Sequence, residues 1–165
     1  MQEDRLQALE ERVARLEARD AIVALKHRYL RACDAKDPEG FRSSFIARGA
    51  VIDYGPLGRF EDADGIAAVY RTIALEKVDE AYVVLDMHHG LHPDIRLTGP
   101  DSATGRWTLR FRQVDRRAGT ESVSAIEYDD EYAVENGEWK MSACRSRILW
   151  AVTRPLADAV VTDSH

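Results

Sequence analysis

The first 35 residues place apolar side chains at helical spacing. Four of them are separated by steps of three or four, as at the a and d positions of a short coiled coil: Leu6, Leu9, Val13 and Leu16. Asp20 interrupts this series, and a second apolar face begins at Ile22. The pattern predicts one long helix or two fused helices, with residues 1–18 as an arm and a globular domain that begins at residue 19.

Two shorter helices follow, and each is preceded by an acid that is suited to cap it. Asp37 stands before a proline, and Asp62 stands before an apolar series that runs to about residue 75. Between these helices, Ala50–Tyr54 is typical of a strand, and residues 55–58 are typical of a turn.

From about residue 82 the apolar period changes from 3.6 to 2, which indicates strands over 82–89, 92–97, 103–115, 121–135 and 138–152. Asn136-Gly137 predicts a tight hairpin between the last two. Helices followed by long antiparallel strands define an α+β class. We expect a strongly curved antiparallel sheet that wraps around the N-terminal helices as a cone, in a domain that ends at residue 155. Residues 156–165 are expected to form a tail.

Composition and charge narrow the function classes. A chain of 165 residues is long enough for one domain with a core, and its net charge of -6 argues against a nucleic-acid surface or an anionic membrane. No apolar run is long enough to span a bilayer, and the charged N-terminus does not resemble a signal peptide. Two cysteines fit no disulfide framework, so we expect a cytoplasmic protein.

The candidate chemistry consists of polar residues where a core is expected. Asp34 lies at the edge of the apolar arc of the first helix, where a solvent-facing role is the alternative. His88 and His89 must face opposite sides of a strand, so one of them can point inward as a general base or as a structural histidine. Because these two diverge and Pro93 interrupts the run to His92, no metal site is expected.

Other polar residues are ambiguous on the sequence alone. Arg145 and Arg147 share the face of the apolar residues of the last strand if that strand is regular, and either could form an ion pair or donate to a substrate oxygen. Tyr29, Tyr54 and Tyr128 are phenol donors or packing residues. Nucleotide-binding and serine-hydrolase motifs do not occur in the sequence, so no cofactor is expected.

Several short motifs, taken in order, resemble the SnoaL-like branch of the nuclear-transport-factor-2-like superfamily over residues 18–152. They are Ala21–Tyr29, Asp34, Phe41 with Phe45, Met87-His88, Thr104–Trp107, Asp130–Tyr132 and Gly137–Lys140. Within that branch the sequence looks most similar to bile-acid dehydratases, scytalone dehydratase and the dehydrochlorinases of chlorinated cyclohexanes. The resemblance implies the cone-shaped α+β barrel that the periodicity also predicts.

The resemblance also implies roles for individual residues. An Asp at the end of the first helix pairs with a His on a strand in those lyases, and Asp34 and His88 match them. Tyr29, Tyr54 and Arg147 match their hydrogen-bond donors. Substrate contacts are expected from Tyr128, Phe111, Trp107 and Arg145. At one position the sequence departs from the bile-acid enzymes, because Phe111 stands where they carry another acid.

The function that follows is a cofactor-independent lyase, similar to a dehydratase, that acts on a small cyclic apolar molecule such as a steroid, polyketide or terpenoid. An isomerase or cyclase would use the same base. A non-catalytic domain for small-molecule binding or assembly is the alternative from another class. The relatives and the apolar arm together predict a homo-oligomer, with a trimer expected ahead of a dimer.

Overall fold

The N-terminal helix is continuous from the arm into the domain. In the computed structural model, which describes residues 1–163, helix α1 spans Gln2–Asp34. Its second half is buried from Ile22 onward, whereas every residue before Ala18 is exposed. One long helix, the first of the two predicted alternatives, is therefore correct. The division at residue 18 stays a prediction, and the predicted tail includes residues 164 and 165, which lie outside the described residues.

The two predicted capping acids begin the next two helices. The carboxylate of Asp37 accepts the backbone N–H of Gly40 at 2.9 Å, and helix α2 spans Pro38–Ser43. Asp62 accepts two backbone N–H groups in the first turn of α3, which spans Ala63–Ala74. Each cap satisfies N–H groups that the helix itself cannot pair.

Six strands form one sheet in the order β2-β1-β8-β7-β6-β5, and β3 and β4 form a separate small hairpin. A 3₁₀ turn at Gly55–Leu57 joins the first two strands. The strands are β1 Val51–Asp53, β2 Arg59–Phe60, β3 Lys77–Val78, β4 Ala81–Tyr82, β5 Val84–Gly99, β6 Ser102–Asp115, β7 Thr120–Glu135 and β8 Glu138–Pro155.

The sheet is mixed, and the prediction of a wholly antiparallel sheet is wrong at one pair of strands. β1 runs parallel to β8, with Val51 opposite Ala143. A parallel pair needs a long crossover, and here α3 and six strands lie between the two members in sequence. Periodicity reports which residues face inward, but it carries no information about strand direction.

Two local predictions about the long strands had different outcomes. Segments 82–89 and 92–97, predicted as two strands, lie in the single strand β5 from Val84 onward, with Tyr82 in β4. The register of β5 against β6 shifts between Leu91 and Asp94. His92 takes a positive φ of 53° at that irregularity. The Asn136-Gly137 hairpin is confirmed, because both residues have positive φ and join β7 to β8 as a primed turn requires.

The sheet curves around α1 without closing, since β2 and β5 form its two edges. Close packing between helix and sheet needs Gly90, where a Cβ atom would lie 2.6 Å from Cδ1 of Leu30. Burial decreases along β8 from Met141, which is fully buried, to Trp150, which is 57% exposed. The cone is therefore packed near the β7–β8 turn and open where β8 ends and β5 begins.

No helix in the described residues has the length and apolarity to cross a membrane.

Candidate active site

An acid and an imidazole meet near the open end of the cone. Asp34 is the last residue of α1, and its Oδ1 lies 2.6 Å from Nδ1 of His88 on β5. The backbone N–H of His88 donates to both carboxylate oxygens, at 3.1 and 3.2 Å. The two side chains are 32% and 14% exposed, so solvent reaches the pair. His89 is exposed on the opposite face, as the alternation predicts.

The contact defines which nitrogen of the ring is free to react. With Nδ1 donating its hydrogen to the Asp34 carboxylate, Nε2 of His88 carries the lone pair, a tautomer that we assign from the hydrogen-bond network. The ring of Phe111 lies 4.6 Å from the His88 ring, centroid to centroid, from the paired position on β6. Phe111 therefore gives the imidazole an apolar neighbour.

A second ion pair fixes the end of α1 to β5 beside this contact. Nζ of Lys36 lies 2.7 Å from Oδ2 of Asp86, and both side chains are almost fully buried. Lys36 follows Asp34 by two residues, and Asp86 precedes His88 by two, so the two contacts run side by side. Gln113 donates to the other oxygen of Asp86 at 2.9 Å. The pair restrains the helix end from which Asp34 reaches His88.

Three buried phenols lie deeper in the cone. The hydroxyls of Tyr29 and Tyr54 are 2.7 Å apart, and the rings of Tyr54 and Tyr128 are 6.3 Å apart. Tyr54 donates to Sγ of Cys144 at 3.3 Å. Burial raises the pKa of all three phenols well above the ordinary value of 10.0. They are therefore neutral donors throughout the physiological pH range.

The register of the strands relates the phenols to the imidazole. Tyr128 on β7 is paired with Trp107 on β6. Phe111 lies four residues further along β6, and it is paired with His88 on β5. The intervening inward position on β6 is Leu109, which is paired with Ile126. An apolar stretch of two pleats thus separates the base from the phenol donors.

A fully buried ion pair underlies the phenols, and sequence reasoning missed it. Nζ of Lys26 lies 2.8 Å from Oδ2 of Asp130, and neither side chain is exposed. The hydroxyl of Tyr132 donates to the same oxygen at 2.7 Å, while Nζ of Lys26 lies 3.8 Å from the centroid of the Tyr128 ring. The other carboxylate oxygen of Asp130 has no hydrogen-bond partner among the described residues.

The charge of Lys26 is stabilised against its burial. Burial alone lowers the pKa of this ammonium, but the carboxylate of Asp130 and the sulfur of Cys144 outweigh burial, and the pKa is raised above 10.5. The sequence did hold a signal, because Lys26 lies between Ile22 and Tyr29 on the apolar face of α1. Asp130 likewise alternates onto the inward face with Tyr128.

The two arginines lie outside the site, contrary to the expectation that one of them points inward. Arg145 pairs with Glu131 at 2.7 Å and Arg147 with Glu127 at 2.6 Å, on the outer face of the sheet. The expectation assumed a regular strand, but the β7–β8 register shifts between Glu131 and Tyr132. This bulge reverses which residues of β8 face inward as far as the second register shift, between Ala125 and Ile126, so Arg145 and Arg147 both face outward and neither guanidinium can reach the phenols.

The residues predicted to contact substrate lie at different depths in the cone. Phe111 adjoins His88 and Tyr128 lies among the phenols, but Trp107 is packed in the core, where its Nε1 donates to the hydroxyl of Tyr132 at 2.9 Å. Two open grooves of about 800 and 900 Å³ lie elsewhere, and neither is lined by Asp34 or His88. Across the described residues, no group of three or more His, Cys, Asp and Glu side chains is arranged to hold a metal ion.

A curved mixed sheet around a long N-terminal helix defines a cone-like α+β fold. The model of the SnoaL-like domain matches residues 14–145. Because that match covers most of the sequence, the chain belongs to the SnoaL-like domain family.

Solved structures carry the same fold at low sequence identity. A candidate scytalone dehydratase from Novosphingobium aromaticivorans has a TM-score of 0.75 and 16% identity, covering 84% of this chain and 89% of that one. A hexachlorocyclohexane dehydrochlorinase, LinA-type3 from Novosphingobium barchaimii, has a TM-score of 0.75 and 18% identity, covering 92% and 99%. ActVI-ORFA from Streptomyces coelicolor has a TM-score of 0.64 and 14% identity, covering 79% and 96%.

The buried phenols predict a loss of stability in alkali. Each phenol deprotonates near pH 10 in the unfolded chain and at higher pH in the folded one, so the folded state binds more protons above pH 10 and stability falls as pH rises. Tyr128→Phe should make the fall of the unfolding free energy between pH 10 and 11 shallower by about 1 kcal/mol per pH unit, since the unfolded phenol is only partly deprotonated in that range. Denaturant titrations at each pH measure it, and an unchanged slope would contradict the assignment.

The buried ion pair predicts an asymmetric mutational response. Lys26→Met leaves the Asp130 carboxylate buried and unpaired, so we expect a loss of about 3–5 kcal/mol in unfolding free energy. Adding Asp130→Asn removes the orphaned charge and should recover about half of that loss. Arg145→Met, which removes one partner of the exposed pair with Glu131, is the control and should cost less than about 1 kcal/mol. Equal losses for the single and double variants would show that the charge is not the cause.

Proposed function

We propose that this protein is a cofactor-independent lyase that eliminates water from a small cyclic, largely apolar molecule. We further propose that it works in a reducing cytoplasm, in which its two buried cysteines stay free thiols. The observation that carries the proposal is the 2.6 Å contact between Asp34 and Nδ1 of His88, because it leaves Nε2 of a solvent-reachable imidazole free to take a proton.

The proposed reaction begins at a carbon next to a carbonyl group. Nε2 of His88 takes a proton from that carbon, while Asp34 holds the ring and stabilises the imidazolium that forms. The electron pair of the broken C–H bond forms a C=C bond as the bond from the adjacent carbon to its hydroxyl breaks. The imidazolium gives its proton to the departing oxygen, so water leaves and His88 returns to its neutral form.

The phenols supply the donors that the outward-facing arginines cannot. Tyr29, Tyr54 and Tyr128 are neutral, and each has one O–H to donate to a substrate oxygen on which negative charge develops. Tyr29 and Tyr54 would make that bond in exchange for their present ones, to Tyr54 and to Sγ of Cys144. Leu109 and Ile126 lie between them and the base along the register. We propose a fused-ring molecule with its oxygen at the far end, as in steroids, polyketides and terpenoids, because its apolar body would match the apolar side chains between the base and the phenols.

The relatives support the reaction class without fixing the reaction. The names of two of the similar structures, a candidate scytalone dehydratase and a dehydrochlorinase, both describe eliminations. At 16% and 18% identity these similarities establish the fold, so the elimination is carried to this chain as a proposal. An isomerase or a cyclase would use the same base without releasing water, and the product of the reaction separates these cases.

Two measurements test the base and the elimination separately. A cyclic ketone with a hydroxyl group on the β carbon is the probe: hydrogen exchange at its α carbon in D₂O reports proton abstraction, and absorbance of the conjugated enone reports loss of water. His88→Ala should reduce both by roughly 10²–10⁴-fold. Asp34→Asn keeps the shape but loses the charge, and we expect a reduction of about tenfold or more in kcat with little change in KM.

His89→Ala is the matched control, because that imidazole is exposed on the opposite face of the same strand. It should leave both rates within about twofold of the original protein. Exchange without enone would favour an isomerase or cyclase over a dehydratase. If His88→Ala and His89→Ala lowered exchange equally, or if no cyclic ketone exchanged, a non-catalytic binding domain would be the better description.

We also propose that the protein is a homo-oligomer, with a trimer expected ahead of a dimer. The outer face of the sheet exposes apolar side chains on both β5 and β8, namely Met87, Leu91, Trp150 and Val152, each between 40% and 60% exposed. A surface of this kind is typical of a contact with another subunit. Light scattering at micromolar concentration should give a multiple of 18.6 kDa, and a monomer would refute the assembly.

A further inference from the structure

The first half of α1 carries an apolar face that nothing in its own domain covers. Its four apolar residues are all about half exposed: Leu6 57%, Leu9 50%, Val13 51% and Leu16 53%. Further along the same helix, Ile22 is fully buried. The groove between the helix and the β5–β6 hairpin is lined by Leu16, Ile95 and Leu97, but not by the other three residues of the face.

The charges beside this face are sorted by side. With Leu6 and Val13 at a positions and Leu9 and Leu16 at d positions, the flanking e and g positions each hold one sign of charge. The g positions are Arg5, Arg12 and Arg19, and the e positions are Glu3, Glu10 and Glu17. Every g position is therefore basic and every e position is acidic.

This arrangement selects one orientation of two identical helices. In a parallel coiled coil each g residue lies near the e residue of the following heptad on the other helix, so Arg5 meets Glu10 and Arg12 meets Glu17. In an antiparallel pair g faces g and e faces e, which places like charges together. Only the parallel orientation makes every flanking contact attractive, whether two or three helices associate.

We propose that residues 2–19 of α1 form a parallel, in-register coiled coil with the same segment of a second copy of this chain. Two heptads are too short to be stable as an isolated helix in water. Here the segment continues the buried half of α1 without a break, so the folded domain already supplies the helix nucleus. Charge complementarity identifies the partner as a second copy of this chain, because the basic g positions of one helix face the acidic e positions of an identical helix.

Disulfide trapping tests the orientation and register of the coil. Leu6→Cys alone should form an interchain disulfide on mild oxidation, because residue 6 meets residue 6 in a parallel pair, and Leu16→Cys alone should do the same. Glu11→Cys, at the f position on the far side of the helix, is the control and should remain a thiol. Native Cys33 and Cys144 are buried, so they do not compete.

Charge exchange tests the flanking contacts. Arg12→Glu should raise the Kd for self-association by about tenfold, since each g–e contact at Glu17 becomes repulsive. The double variant Arg12→Glu/Glu17→Arg restores opposite charges and should return the Kd to within about twofold. Arg15→Glu makes the same change of charge at a c position away from the face, and it should change the Kd by less than about twofold. Sedimentation equilibrium measures all four proteins.

The outcomes separate the proposal from its alternatives. A disulfide that forms only when Leu6→Cys and Leu16→Cys proteins are mixed would indicate an antiparallel pair. The absence of any disulfide would mean that the segment folds against its own domain, and equal effects of Arg12→Glu and Arg15→Glu would show that the charge pattern is irrelevant. Each of these results overturns the proposal and leaves the proposed chemistry at His88 unaffected.

Discussion

The buried contact between Lys26 and Asp130 is the interaction on which the arrangement of the interior depends. It joins α1 to β7 at the packed end of the cone, with both side chains fully buried. An unpaired charge at this depth is very costly, so the helix can pack in this way only when the strand supplies its acid. Tyr132 and Tyr128 both contact the pair, one through its hydroxyl and the other through its ring. The phenol cluster is thus built around a charge that is already neutralised.

The helix is fixed at a second point by the contact between Lys36 and Asp86, near the open end. Between these two restraints, α1 runs over the concave face and approaches β5 closely at Gly90. A carboxylate at the end of a helix held in this way has little freedom in its distance from a strand. The contact between Asp34 and His88 is therefore set by the packing of the whole helix rather than by the two residues alone.

The sequence predicted the structure best where a feature depends only on residues close together in the chain. Capping acids such as Asp62, the Asn136-Gly137 turn and the alternation of His88 with His89 all depend on neighbours within a few positions. Strand direction and the bulge ahead of Arg145 depend on partners far along the chain, which periodicity cannot report. Lys26 was detectable on its helical face, but its partner Asp130 becomes evident only when the curvature of the sheet brings β7 to α1.

The distance along the chain between these partners also has a consequence in time. Lys26 leaves the ribosome about a hundred residues before Asp130, and β1, apart from its hairpin with β2, pairs with the strand that is made last. A helix with an apolar face would be prone to aggregate while it waits, but an unpaired ammonium in the middle of that face opposes its burial in a wrong partner. The residue that is paired in the finished interior thus also disfavours burial of this helix face while the strand that carries its acid is missing.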